Sequence, residues 1–252
     1  MKSQNLSFTG SQQYQLKARL DLPEDQDPRA YALFAHCFTC NKNLKAVGNI
    51  NRALSHRGIG ILRFDFTGLG ESEGDFADTN FSSNIEDLIA AANFLKEQHE
   101  APRMLIGHSL GGAAVLQAAG YLDSVQAVAT IGAPCDPSHV SHLFEDKKEI
   151  IDQQGYAHVT LAGRTFTIKK QFLDDLESAR MDERIRNLKR ALVICHSPTN
   201  QTVRLDNAAH IFKLDKHPKS LISLDEADHL LMNEQDSTYV GDVTASWARR
   251  YL

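Results

Sequence analysis

One decapeptide constrains this chain more than any other: Arg103-Met104-Leu105-Ile106-Gly107-His108-Ser109-Leu110-Gly111-Gly112. The apolar run 104–106 has the character of a buried strand, and Ala113-Ala114-Val115-Leu116-Gln117-Ala118-Ala119 is a small-residue helical pattern. Gly-x-Ser-x-Gly stands between them. A serine at a sharp strand-to-helix turn is a nucleophile elbow. The turn strains the serine backbone, and the glycines two before and two after leave room for neighbouring chain. Leu110 opens the helix, so its N–H and the positive end of the helix dipole face the place where charge develops on an attacked carbonyl.

Around this stretch the chain alternates. Segments 3–9 and 13–22 carry the polar–apolar alternation of half-exposed strands, with Gly10-Ser11 as the turn between them. Strands are expected at 30–35, 59–66, 125–131, 191–195 and 220–224, and helices over 44–57, 84–95, 203–214 and 239–251. Between 137 and 188 the rhythm lapses into a polar helix (140–154), a small hairpin (157–168) and another helix (172–186). This stretch is expected to be a lid inserted after the sixth strand of a single domain spanning 1–252. The pattern predicts an α/β fold with a mostly parallel central sheet and helices on both faces. Such sheets place ligands beyond the carboxyl ends of their strands, which directs attention to His36–Thr39, Asp65–Gly70, Ser109, Gly132–Asp136, His196–Asn200 and His229.

Composition narrows the class. With 42% hydrophobic and 23% charged residues the chain reads as an ordinary globular protein, and a net charge of −5 without basic runs argues against nucleic acid. No apolar stretch approaches the ~18 residues needed to cross a bilayer, and the first residues lack the apolar segment of a secretory signal. Four cysteines (Cys37, Cys40, Cys135, Cys195) in a chain this long do not suggest a secreted disulfide framework, so the cytoplasm is the expected compartment. Cys37-x-x-Cys40 lies outside a helix start and is assigned no redox role. His139-x-x-His142 lacks further ligands and is assigned no metal; Gly68-x-Gly70 reads as a tight turn. No cofactor is expected.

A serine hydroxyl needs a base beside it. His229, in Asp225-Glu226-Ala227-Asp228-His229-Leu230-Leu231, follows an apolar strand and comes after the serine, the order such an elbow carries. The loop His36-Cys37-Phe38-Thr39 occupies the place of the second oxyanion donor, and Phe38 N–H joins Leu110 N–H as the candidate pair. The Phe38 ring fits either an acyl pocket or the core.

Five segments carry a family resemblance: Ala35-His36-Cys37-Phe38-Thr39-Cys40, Asp65-Phe66-Thr67-Gly68-Leu69-Gly70-Glu71-Ser72, Gly107-His108-Ser109-Leu110-Gly111-Gly112, His217-Pro218-Lys219-Ser220 and Ala227-Asp228-His229-Leu230-Leu231. Along nearly its whole length the chain resembles an α/β-hydrolase-fold serine hydrolase. More narrowly it is similar to the hydrolase half of proteins that fuse such a domain to an OsmC-type peroxidase; the peroxidase half is expected to be absent. The resemblance implies an aspartate in the loop after strand 191–195, where this chain has Asn200. An asparagine there either costs rate by leaving the histidine in the wrong tautomer or turns its carbonyl oxygen toward the ring, orienting it without charge. Asp136 is the alternative, although Asp136-Pro137 also reads as a helix cap; Asp206 ranks last. The resulting expectation is a serine carboxylesterase that cleaves small, short-acyl esters without nucleic-acid or membrane partners. The alternative is a hydrolase-like binding module weakened at Asn200.

Overall fold

A computed structural model describes residues 1–161 and 163–252. The chain enters as an antiparallel pair, β1 (Lys2–Thr9) and β2 (Gln15–Leu22), turned at Gly10. It continues through β3 (Ala30–Ala35), α1 (Lys45–His56), β4 (Ile59–Phe64), α2 (Phe81–Gln98), β5 (Met104–His108), α3 (Leu110–Ala118) and β6 (Ala127–Ile131). A 3₁₀ helix (Pro137–Lys147), α4 (Lys148–Gln154), the hairpin β7 (Tyr156–Leu161) and β8 (Arg164–Lys169), α5 (Lys170–Ser178) and α6 (Met181–Arg186) follow. The chain then returns to the sheet with β9 (Ala191–His196), α7 (Leu205–Leu214), β10 (Lys219–Ser223) and α8 (Glu234–Ala248).

The main sheet runs β1-β2-β4-β3-β5-β6-β9-β10, parallel from β4 to β10. Strand periodicity sorts its two faces. Leu33, Leu62, Phe64, Leu105 and Val128 pack under α2 and α3, while Phe34, Ile61, Met104, Ile106 and Ala129 pack under α1 and α8. The sheet is therefore buried on both sides, which is why its central strands read as continuous apolar runs. The connection from β3 to β4 goes one way and that from β4 to β5 passes back over β3. This reversal opens a crevice at the carboxyl ends of β3 and β5, where the loops bearing Phe38 and Ser109 emerge. Among the described residues no helix is long and apolar enough to cross a membrane.

Three expected elements differ. The stretch 140–154 is a 3₁₀ helix followed by α4, broken at Phe144, which has non-helical φ −140° and ψ 26°. The stretch 172–186 is two helices, because Phe172, Leu173 and Leu176 of α5 and Met181 and Ile185 of α6 serve different partners: α5 meets α2, and α6 meets α3. Finally, α8 begins five residues earlier than expected, since Asn233 caps it by accepting from Gln235 N at 3.0 Å.

Candidate active site

The elbow is built from close approaches. A Cβ on Gly107 would lie 2.2 Å from Gly111 O, and one on Gly111 would lie 2.4 Å from Ala35 O. Only glycines let α3 start this close to β5 and β3. Ser109 takes φ 55° and ψ −125°, a strained conformation for a non-glycine residue. Its N–H is anchored on Ile131 O at 2.9 Å. Leu110 is the first residue of α3, so its N–H lies in the turn that has no intrahelical acceptors.

His229 reaches the serine from the loop after β10. Its Nε2 is 3.0 Å from Ser109 Oγ. The loop is held by His108, whose Nε2–H donates to His229 O at 2.7 Å, and by Asp228, whose carboxylate accepts from Leu230 N and Met232 N. Burial pushes the His229 imidazole down to about 3; neighbouring His108 and His196 lower it further and Asp228 opposes them. The ring is therefore neutral at ordinary pH, and among the described residues no carboxylate is hydrogen-bonded to it. Burial likewise lowers His108 to about 4.

The partner of His229 Nδ1 is Asn200, with its amide nitrogen and not its carbonyl oxygen toward the ring. Asn200 Oδ1 accepts from Thr202 N and from Val203 N, both at 3.0 Å, which leaves Nδ2 3.0 Å from His229 Nδ1. Two fixed backbone donors make the amide assignment unambiguous, since turning it over would set N–H against N–H. Nδ2–H therefore donates to Nδ1. With Nδ1 accepting and the ring neutral, the His229 proton is assigned to Nε2, facing Ser109 Oγ, the tautomer opposite to that of a general base. Gly132, at φ 54°, makes this contact possible: a Cβ there would lie 3.2 Å from Asn200 Nδ2. Asp136 caps the following 3₁₀ helix through Ser138 N at 2.8 Å, and Asp206 pairs with Arg204 at 3.4 Å on the surface.

The loop after β3 is pinned at several points. His36 Nδ1–H donates to Cys37 O at 2.8 Å and Cys40 N–H donates to the same oxygen at 3.2 Å. Lys42 is bonded to buried Asp65 through both its backbone N and its Nζ, each at 2.6 Å, while Arg63 holds Lys42 O at 2.6 Å. Cys37 and Cys40, given no redox role from sequence, are joined in a disulfide, because the turn between them brings their Cα atoms to 5.4 Å. The Phe38 N–H donates to no protein group among the described residues.

Behind the loop lies a cavity of about 10 Å³, room for about one water, lined by His36, Phe38, Phe66, Phe76, Asn84 and Leu110. The inserted segment covers it: Phe172 meets Phe38 at 5.7 Å and Phe166 meets Phe76 at 5.1 Å between ring centroids. Clefts of about 580 and 710 Å³ lie elsewhere, and neither is lined by Ser109, Asn200 or His229. His139 Nε2–H donates to Thr202 O at 2.7 Å, and among the described residues no group of three or more side chains is set to hold a metal.

The family model Hydrolase_4, described as "Serine aminopeptidase, S33", matches residues 26–153, just over half of the chain. The chain belongs to this family. It is a hydrolase of the α/β-hydrolase fold. An esterase domain of a Rhodothermus marinus protein is 52% identical, with 100% of this chain and 99% of that one covered at a TM-score of 0.82. The uncharacterized protein YfhR of Salmonella typhimurium is 23% identical over 202 residues, 80% of the hydrolase. The hydrolase spans only 65% of the length of that relative. A mitochondrial palmitoyl-protein thioesterase, ABHD10 of Rattus norvegicus, is 31% identical over 87 residues, 34% of the hydrolase and 28% of the relative.

Sequence reasoning had signals for the serine, the histidine and the asparagine. It gave no role to His108, and named Gly132 only as one end of a strand-end stretch; both roles arise only once β5, β6 and the His229 loop meet. It also missed Lys42, which nothing local distinguishes from a surface lysine.

Proposed function

We propose that this hydrolase is a serine carboxylesterase that cleaves small esters through an acyl-serine intermediate. The observation that carries the reading is the 3.0 Å contact between Ser109 Oγ and His229 Nε2 at a strained strand-to-helix turn. Ser109 Oγ attacks the acyl carbon and His229 Nε2 takes its proton. The N–H groups of Phe38 and Leu110 hold the oxyanion. His229 then protonates the leaving alkoxide, and water releases the acyl group by the same steps in reverse order.

Proton uptake at Nε2 needs the ring proton on Nδ1, the tautomer that the Asn200 amide opposes. Acylation therefore passes through a minor tautomer, and turnover is slower than a carboxylate partner would allow. Short acyl groups are favoured because the cavity beside the oxyanion loop is small and the segment 137–188 acts as a lid whose Phe172 packs on Phe38. The thioesterase activity in the ABHD10 name makes thioesters the first related class to try.

The test is a series of 4-nitrophenyl esters from acetate to decanoate, with Ser109→Ala as control. The reading expects kcat/KM to be greatest at acetate to butyrate and to vanish in the variant. A maximum at long chains, or undiminished turnover by Ser109→Ala, contradicts it. A weakened binding module is the second reading, favoured by the orientation of the Asn200 amide. Its mark is no wild-type turnover, with turnover appearing in Asn200→Asp.

A further inference from the structure

We infer that Cys37 and Cys40 form a thiol–disulfide exchange site that sets the activity of the oxyanion loop; this rests on the role proposed above for Phe38 N–H. The disulfide closes a four-residue turn, and Phe38 is the second residue of that turn. The peptide group joining Cys37 to Phe38 carries both the carbonyl gripped by His36 Nδ1–H and Cys40 N–H and, on its opposite side, the unbonded Phe38 N–H. Holding the oxygen on one side fixes the direction of the N–H on the other. Thr39, next in the turn, has φ 60°, where a β-branched residue is strained, so it stays only while its surroundings enforce it. The disulfide spans the same residues and is the one covalent part of that enforcement. Without it Thr39 can relax toward negative φ, which turns the Cys37–Phe38 peptide and removes one oxyanion donor.

The exchange chemistry is open to a reductant. Cys37 is buried and Cys40 is half-buried, so the attack is assigned to the sulfur of the more exposed residue, Cys40. A thiolate of a small dithiol attacks Cys40 Sγ, and the S–S electron pair passes to Cys37 Sγ, which takes a proton. The second thiol of the reductant then attacks its own sulfur bound to Cys40, closing the reductant's disulfide and freeing the Cys40 thiol. Two electrons and two protons move from reductant to protein, and a disulfide oxidant reverses them. The remaining cysteines, Cys135 and Cys195, are unpaired thiols outside this loop.

The test compares the protein as purified under air with the same protein reduced by dithiothreitol and desalted without oxygen. Free thiols are counted, two expected before and four after, and kcat and KM for 4-nitrophenyl acetate are measured. Reduction is expected to lower kcat about 10-fold or more, toward the ~10²–10³ associated with loss of one oxyanion donor, with KM changed less than about twofold. Reoxidation should restore kcat. Cys40→Ser should show the reduced kcat whether or not reductant was used, with a circular dichroism spectrum matching wild type. An unchanged kcat at four free thiols, or an equal response to reductant in Cys40→Ser, overturns the inference. Absence of Ser109-dependent turnover in the oxidised protein overturns the esterase reading and this inference with it.

Discussion

Replacing Asn200 by Asp should convert a poorly poised histidine into an effective base. The substitution changes one amide nitrogen to oxygen in a side chain whose other oxygen already accepts two backbone N–H groups at 3.0 Å. Those donors stabilise the new carboxylate and offset much of its desolvation. The second oxygen would stand where Nδ2 now lies, 3.0 Å from His229 Nδ1, and would require a proton on that nitrogen. Two gains follow: the resting ring adopts the Nδ1–H tautomer, and the imidazolium formed during acylation gains an opposite charge. At an effective dielectric of about 20, charges ~4 Å apart attract by ~4 kcal/mol. Allowing for residual desolvation, ~2–4 kcal/mol of transition-state stabilisation corresponds to about 30- to 1,000-fold in kcat. In the serine-protease triad the reverse change costs about 10⁴ in rate, so this range is conservative. The assay is 4-nitrophenyl acetate hydrolysis as a function of pH. Wild-type kcat/KM should stay level from neutrality to about pH 4, because the His229 imidazole is held down to about 3 and stays neutral. In Asn200→Asp the carboxylate raises that value, so the acid limb should move to higher pH while the plateau rises. A folded variant with unchanged or lower kcat and an unmoved acid limb would refute the tautomer argument.

Other expectations follow from the same geometry. Gly132→Ala adds a Cβ 3.2 Å from Asn200 Nδ2 at φ 54°. It should cost about 1–2 kcal/mol in urea unfolding and lower kcat more than it changes KM; an unaltered kcat would show that the Asn200–His229 contact has slack. Acid should destabilise the fold well above the pH at which carboxylates titrate. His108, held to about 4 by burial, stays neutral when folded, whereas the unfolded chain binds its proton near 6.5. Its stabilisation is therefore complete above pH 6.5 and is lost as pH falls toward 4, roughly 2 kcal/mol between pH 7.5 and 5. His108→Gln, whose amide can still donate toward His229 O, should flatten that slope in urea titrations; an identical slope would place the effect elsewhere.

What the sequence disclosed and withheld divides along local and non-local lines. The elbow is legible because strand, serine and helix are contiguous and the glycines are needed by one another. His229 is legible because parallel sheets bring strand ends to one rim, so a histidine after a late strand has a natural partner. The Asn200 amide orientation is not legible. It is decided by the N–H groups of Thr202 and Val203, whose directions depend on how the loop after β9 folds. The Cys37–Cys40 bond escaped for a related reason, since spacing alone does not show whether a turn will bring two sulfurs together. The division of 172–186 into α5 and α6 leaves no glycine or proline as a marker; it reflects two apolar faces meeting different helices.

Labelling with a fluorophosphonate, followed by peptide mass spectrometry, bears most directly on whether a reactive hydroxyl stands at the elbow. One adduct per chain on Ser109 is expected, absent in Ser109→Ala, slowed strongly in His229→Ala and accelerated in Asn200→Asp. Adducts spread over other residues, or labelling of Ser109 at the same rate without the His229 imidazole, would contradict the account.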